Sequence, residues 1–159
     1  MAKVILICGK LCSGKSTYAE ALCTRRKAVL LSVDEIMLAL FGQYAGDKHD
    51  EYAQKTKAYL FEKSLKILSA GTDVVLDWGF WTKEDRDYAK VFYSARGVTC
   101  ELHYIDISDE VWRTRLRQRN HAVSVGEANA YFVDEDLAAK FDAIFEPPEK
   151  DEIDVPIRC

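Results

Sequence analysis

The residues best suited to bind a polyphosphate stand near the start of the chain. Residues 9–16 read Gly-Lys-Leu-Cys-Ser-Gly-Lys-Ser, a complete match to the pattern G-x-x-x-x-G-K-[ST]. The glycines allow backbone angles that turn successive N–H groups inward, which forms a nest for an anion at the positive end of a helix. The lysine of this pattern binds the β- and γ-phosphates, and the serine hydroxyl binds Mg²⁺. We therefore expect ATP and Mg²⁺ as cofactors, with nucleotide contacts from Gly9, Lys10, Cys12, Ser13, Gly14, Lys15, Ser16 and Thr17.

Two aspartates are candidates for the chemistry at the phosphates. Asp34 follows the second apolar run of the chain and Asp77 ends the third, and parallel strands present their carboxyl ends at one edge of a sheet. A carboxylate there can accept the proton of an attacking hydroxyl. We take Asp34 as the candidate base and acceptor contact, and Asp77 as an acceptor contact that also serves Mg²⁺ together with Ser16. The two roles are interchangeable at this stage. The alternative for Asp34 is that it only caps a helix, and the alternative for Asp77 is that it is a structural turn residue.

Aromatic residues directly follow Asp77. Trp78, Phe80 and Trp81 fit either a packed core or the wall of an acceptor pocket. We take Trp78 and Phe80 as candidate substrate contacts. Arg86, on the helix predicted next, is a further candidate, with pairing to a neighbouring aspartate as its alternative.

Four arginines alternate along one later segment, at positions 113, 115, 117 and 119. In a helix Arg115 and Arg119 share one face, and Arg113 and Arg117 share another. A guanidinium group is planar and always charged, so it can clamp phosphate oxygens or stack on adenine. We predict nucleotide contacts from Arg115 and Arg119, with Arg115 and Lys15 as electrostatic catalysts beside the base. A solvated charged face is the alternative.

Strands and helices alternate along the chain and position these residues. Apolar runs predict strands at residues 3–8, 28–32, 73–76 and 99–107, and one at 153–157 that Pro156 confines to a sheet edge. Helical periods and end signals predict helices at residues 15–26, 34–41, 50–69, 83–96, 108–120 and 134–145. Residues 121–133 show no clear period and are interpreted as a mobile loop. This alternation indicates a single α/β domain over residues 1–159, built around a parallel sheet.

Composition restricts the class of protein further. With 159 residues, 48% hydrophobic and 30% charged, the chain is typical of one folded globular domain. Its net charge of −4 disfavours a surface that tracks nucleic acid, although a narrow basic channel stays possible. The five cysteines form no C-x-x-C pair, and there is neither a secretory signal nor an apolar run of bilayer length. We expect reduced thiols, a cytoplasmic location and no membrane association, with the oligomeric state unknown.

Together these residues resemble the small P-loop kinases of the AAA_33 type, whose relatives include chloramphenicol phosphotransferase, the kinase domain of polynucleotide kinase-phosphatase and gluconate kinase. The resemblance covers most of the chain and is carried by residues 9–16, 32–34 and 77–81, by Arg86, and by Arg115 with Arg119. It implies a three-layer P-loop NTPase sandwich whose five-stranded parallel sheet has the order 2-3-1-4-5. It also implies the base position for Asp34 and a lid around residues 113–133.

The predicted activity is transfer of the γ-phosphate of ATP to a hydroxyl of a small molecule. The lid lacks the Arg-x-x-His-Phe pattern of gluconate kinases, and residues 83–87 differ from the acceptor region of polynucleotide kinases, so the acceptor is open. One alternative is a kinase of nucleic-acid 5′-hydroxyls or of nucleotides. Another is a nucleotide-binding switch or weak ATPase that acts through a protein partner.

Overall fold

A computed structural model describes residues 1–159 and contains one sheet of parallel strands. The strands are β1 (Val4–Cys8), β2 (Val29–Ser32), β3 (Val74–Gly79), β4 (Cys100–Asp106) and β5 (Val155–Arg158). Their order across the five-stranded sheet is β2-β3-β1-β4-β5, which confirms the order that the resemblance implies. Pro156 lies in the edge strand β5, as expected for a residue without an N–H to donate.

Helices cover both faces of this sheet. They are α1 (Lys15–Arg26), α2 (Val33–Phe41), α3 (His49–Ser69), α4 (Lys83–Ser94), α5 (Asp109–Ser124) and α6 (Glu135–Ile144), with short 3₁₀ turns at Gly46–Lys48 and Lys150–Glu152. No helix is long and apolar enough to cross a membrane.

The fully buried strand β1 shows why the fold has three layers. Its residues alternate between the two faces of the sheet: Leu6 packs in a cluster with side chains of α3 and α4, whereas Ile5 and Ile7 pack with Leu22 of α1. A strand buried on both faces needs a continuous apolar sequence. The apolar run predicted as the first strand therefore forms the centre of the core.

The register of the sheet brings the candidate carboxylates to one edge. Ser32, the last residue of β2, pairs with Asp77 of β3. Between β3 and β1 the register shifts, with Leu76 opposite Leu6 and Gly79 opposite Cys8. Asp77 and Trp78 of β3 thus oppose the single residue Ile7 of β1, which is a β-bulge. A bulge re-aims the side chains that it contains, and this one lies beside the phosphate-binding loop.

Several element boundaries differ from those predicted. Helix α2 begins at Val33, and the Ser32 hydroxyl caps it by accepting from the Glu35 N–H at 3.3 Å. Asp34 is therefore in the first turn and does not act as the cap. Helix α5 continues to Ser124, past the predicted end at residue 120, so the first part of the predicted loop is helical.

Candidate active site

The loop between β1 and α1 has backbone angles that match its predicted role. Cys12 and Gly14 have φ angles of 58° and 95°, both in the left-handed region. A Cβ atom at Gly14 would lie 2.9 Å from Nη1 of Arg115. Gly14 is therefore required both for the turn and for the close approach of this arginine.

Side chains from other elements hold the carbonyl groups of this loop. Three of these bonds are Trp81 Nε1 to Gly9 O (3.1 Å), Trp112 Nε1 to Leu11 O (2.6 Å) and Arg115 Nη1 to Ser13 O (2.7 Å). In a planar trans peptide unit the C=O and N–H bonds point in opposite directions. Because these three carbonyl groups point outward to their donors, the N–H groups of the same units point to the inner side of the loop. The loop thus presents donors to an anion.

The start of α1 is built differently from most other helix starts. The caps of α2, α4, α5 and α6 each use a side chain, from Ser32, Thr82, Ser108 and Asp134. Gly14 caps α1 without a side-chain bond. Since the first N–H groups of a helix have no partner within the helix, those of α1 are free to bind a phosphate.

Lys15 extends back across the loop. Its Nζ donates to Lys10 O at 2.7 Å. Burial lowers the pKa of this ammonium group, and the charges of Asp77 and Asp34 oppose that shift. The lysine is thus enclosed at the loop, within the electrostatic range of both candidate carboxylates.

Lys10 contacts a different part of the molecule. Its ammonium group pairs with Asp109 at 3.2 Å and Asp142 at 2.9 Å, and lies 5.0 Å from the ring centroid of Trp112. Burial lowers its pKa, but bonding to the two aspartates outweighs burial, so the net shift is upward. The side chain of Lys10 ties α5 and α6 to the loop, and its nucleotide contact stays a prediction.

Ser16 and Asp77 meet at the same edge. The Ser16 hydroxyl donates to Oδ2 of Asp77 at 3.1 Å, and Asp77 is 6% exposed. Burial raises the pKa of this carboxyl group, against the opposing influence of Lys15 and Ser16. A hydroxyl and a carboxylate are oxygen ligands of the kind that Mg²⁺ prefers, and Mg²⁺ usually keeps water and phosphate oxygens as its other ligands. The pair fits a Mg²⁺ site completed by a nucleotide.

Asp34 is exposed near these buried groups. It stands in the first turn of α2, and its charge acts on Lys15, on Asp77 and on Tyr131. The structure thus brings the two predicted carboxylates to one site and gives them different surroundings. Asp77 is enclosed, whereas Asp34 is accessible to a second substrate.

The arginine helix α5 faces the loop with one of its two arginine pairs. Arg115 bonds Ser13 O, and Nη1 of Arg119 lies 3.0 Å from Sγ of Cys12. Arg113 and Arg117 are exposed, as the helical spacing predicts. Nε of Arg119 and Oγ of Ser13 are buried without a hydrogen-bond partner. Among the loop residues, Thr17 is exposed in the first turn of α1.

The aromatic residues after Asp77 separate into two roles. Phe80 is 1% exposed within the main core cluster and has a φ of 46°, so the predicted substrate contact of Phe80 is wrong. Trp78 is half-buried, stacks on Phe80 at 5.1 Å and meets Phe61 edge-on at 5.4 Å. Trp78 stays a candidate for the acceptor side of the site.

Arg86 is a core residue in the structure. It is 1% exposed, its Nε bonds Glu152 at 2.9 Å, and its Nη1 donates to Phe80 O at 3.0 Å and to Glu146 O at 2.8 Å. These bonds join α4 to the segment before β5. The predicted substrate contact of Arg86 is therefore wrong, because the guanidinium group has no free surface.

Removing this guanidinium group is expected to destabilise the fold. Arg86→Ala leaves Glu152 as an unpaired buried carboxylate, so the free energy of unfolding should fall by about 3 to 5 kcal/mol. Urea unfolding followed by circular dichroism measures the change, with the exposed Arg113→Ala as the control. A loss of less than about 1 kcal/mol, the range of ordinary surface changes, would contradict the structural role.

Three further residues of this region were missed from sequence. Gln43 and Asn120 hydrogen-bond the backbone of residues 130–133, and Tyr131 packs beside α2. A side-chain amide that binds the backbone of a distant segment leaves no local pattern. The one sign in the sequence was that residues 121–133 show no helical period, which marks a loop but not its contacts.

The AAA_33 family model, described as an AAA domain, matches residues 4–148. No curated protein matches the chain by sequence.

Solved structures similar to the chain include a gluconokinase, an APS kinase and a protein provisionally assigned as a kinase. A protein from Chloroflexus aurantiacus J-10-fl, provisionally assigned as a kinase, has a TM-score of 0.75 and 17% identity, covering 99% of this chain and 88% of that one. A gluconokinase from Sinorhizobium meliloti 1021 has a TM-score of 0.65 and 17% identity, covering 98% and 82%. The APS kinase of Mycobacterium tuberculosis, in complex with AMPPNP and APS, has a TM-score of 0.67 and 15% identity, covering 99% and 88%. At these identities the likeness establishes the fold.

Proposed function

The chain belongs to the AAA_33 family of AAA domains, and on that basis we propose that it is an ATP-dependent phosphotransferase that moves the γ-phosphate to a hydroxyl of a small molecule. The observation that carries this proposal is the position of Asp34, an accessible carboxylate whose charge reaches Lys15 and the buried Asp77. A protein that only bound nucleotide would not need an accessible carboxylate at this place. The gluconokinase and the APS kinase with the same fold act on small molecules, as their names state.

Separate groups of residues bind the nucleotide and neutralise its charge. The free N–H groups of the loop and of α1 bind the polyphosphate, and Lys15 neutralises charge on the β- and γ-phosphates. Arg115 and Arg119, which contact Ser13 O and Cys12 Sγ, add positive charge beside the loop. Ser16 and Asp77 would hold Mg²⁺, which when bound supplies further charge neutralisation at the phosphates.

Asp34 acts on the acceptor. Its carboxylate accepts the proton of the acceptor hydroxyl while that oxygen forms a bond to the γ-phosphorus. The bond from the γ-phosphorus to the β-γ bridging oxygen breaks, and ADP leaves with that oxygen. The products are ADP and a phosphate monoester, and the proton passes from Asp34 to solvent.

A panel of acceptors tests this activity directly. The protein is incubated with Mg²⁺ and γ-labelled ATP together with sugars, nucleosides, hydroxyl-bearing antibiotics or 5′-hydroxyl oligonucleotides. We expect label in one class of small molecule and ATP turnover that rises about tenfold or more with that acceptor, because an unfilled acceptor site leaves only water to react. Label only on oligonucleotide ends, or turnover that no hydroxyl compound changes, would contradict the proposal.

A further inference from the structure

The connection between α5 and α6, residues 125–134, is held at both sides by side-chain amides. Asn120 of α5 accepts from the Val133 N–H at 2.9 Å and donates to Val133 O. Gln43, which follows α2, accepts from the Phe132 N–H at 3.2 Å and donates to Ala130 O at 2.5 Å. The segment is therefore joined both to the arginine helix over the phosphate loop and to the end of the helix that carries Asp34.

Tyr131 is the residue that these bonds enclose. Gln43 binds the residues directly before and after it. Its half-buried ring packs against the cluster of Val33, Met37 and Leu60, and meets His49 edge-on with ring centroids 5.7 Å apart. Val33 and Met37 belong to α2, so Tyr131 is placed against the helix that presents Asp34.

The carboxylate of Asp34 acts on the phenol of Tyr131. Burial raises the pKa of its phenol, and the carboxylate of Asp34 raises it further. The phenol thus stays protonated near neutral pH and can donate a hydrogen bond, while an anion placed here would meet the charge of Asp34.

On the premise of the phosphotransferase function, we propose that Tyr131 is an acceptor-binding residue. Its half-buried ring forms an apolar wall beside the helix that carries Asp34, and this wall selects an uncharged hydroxyl compound with an apolar face. Gln43 and Asn120 are positioning residues, which act by holding the backbone on either side of Tyr131. A flat ring next to a carboxylate suits an acceptor whose hydroxyl points to the carboxylate and whose framework packs on the ring.

Steady-state kinetics test the acceptor role. The probe is the compound of the panel that the wild-type protein phosphorylates with the highest kcat/KM. Tyr131→Ala is expected to raise KM for this acceptor about tenfold or more, because apolar contacts in a pocket have effects of that size, while KM for ATP changes by less than about twofold. Tyr131→Phe keeps the ring and should raise the acceptor KM only by about threefold.

The exposed neighbour Phe132, whose side chain is 51% exposed, provides the matched control. Phe132→Ala should leave both KM values unchanged. An acceptor KM that is equally unchanged in Tyr131→Ala would overturn the proposal. So would a rise in the ATP KM as large as the rise for the acceptor, because the segment would then serve the nucleotide.

The positioning role has a readout of its own. Gln43→Ala should speed hydrogen exchange of the Phe132 amide in the protein without substrates, and should raise the acceptor KM in the same direction as Tyr131→Ala. Unchanged exchange at Phe132, or faster exchange with an unchanged acceptor KM, would contradict the role of Gln43.

The choice of acceptor separates this inference from the proposed function. We expect uncharged ring-bearing alcohols to have higher kcat/KM than sugar acids or sugar phosphates of similar size. A preference for anionic acceptors would overturn the selection by Tyr131 and leave phosphotransfer intact. A wild-type protein that phosphorylates no member of the panel would overturn the proposed function, and this inference with it.

Discussion

Asp34→Asn is expected to lower the kcat of phosphoryl transfer by about a hundredfold to ten-thousandfold, the usual contribution of a general base. Asparagine has nearly the same shape but cannot accept the proton of the acceptor hydroxyl. Asp34 is exposed in the first turn of α2 and bonds no residue of the phosphate loop. ATP affinity should therefore change by less than about twofold, since nucleotide binding uses the loop and α1. Transfer is measured with labelled ATP, and affinity by titration calorimetry.

Two further variants make this experiment specific. Glu35→Gln removes the neighbouring exposed carboxylate of the same helix turn and should leave kcat unchanged. Asp77→Asn should raise the Mg²⁺ concentration that activity requires, because Asp77 bonds Ser16. The opposite result would exchange the roles of the two aspartates. In that case Asp34→Asn would raise the Mg²⁺ concentration that activity requires, and Asp77→Asn would lower kcat without changing that concentration.

Lys15→Ala is expected to lower kcat/KM for ATP by about a hundredfold to a thousandfold, the effect of removing one preorganised charge from a transition state. The ammonium group lies against the loop, with its Nζ bonded to Lys10 O at 2.7 Å, where the β- and γ-phosphates of a bound nucleotide are expected. Initial rates at varied ATP and saturating acceptor measure the loss.

A stability measurement distinguishes this loss from unfolding. Burial of the Lys15 ammonium group opposes its charged form, and attraction to Asp77 favours it. Lys15→Ala removes both effects, so its free energy of unfolding should stay within about 1 kcal/mol of the wild-type value. Lys63→Ala, a change at an exposed position of α3, is the control for both assays. Full activity in Lys15→Ala would refute the assignment of the phosphate loop.

The phosphate loop was predictable because its information is local. Residues 9–16 need only a buried strand before them and a helix after them, and both are visible as changes of apolar period. The outward carbonyls were not predictable, because their donors Trp81, Trp112 and Arg115 come from distant parts of the chain. The arginines of α5 were predictable in part. Helical spacing groups them into two pairs, but only packing decides that Arg115 and Arg119 face the loop.

Arg86 and Phe80 show where reasoning from sequence misplaced residues. Phe80 follows Asp77 by three positions and Arg86 follows it by nine, which favoured a role in substrate binding. The positive φ of Phe80 turns its side chain into the core, and Glu152, far along the chain, supplies the partner that allows Arg86 to be buried. A positive φ at a residue other than glycine and a long-range ion pair are both set by the packed structure.

The sequence by itself determined the phosphate-binding loop, the alternation of strands and helices, and the two aspartates at strand ends, because each depends on residue type and short spacing. Only the tertiary structure decided that Asp77 is buried against Ser16 while Asp34 is exposed, because a bulge in β3 and the packing of α2 set those environments. It also decided that Gln43 and Asn120 hold Tyr131 beside α2. Such contacts depend on the approach of segments far apart in the chain, which no local pattern encodes.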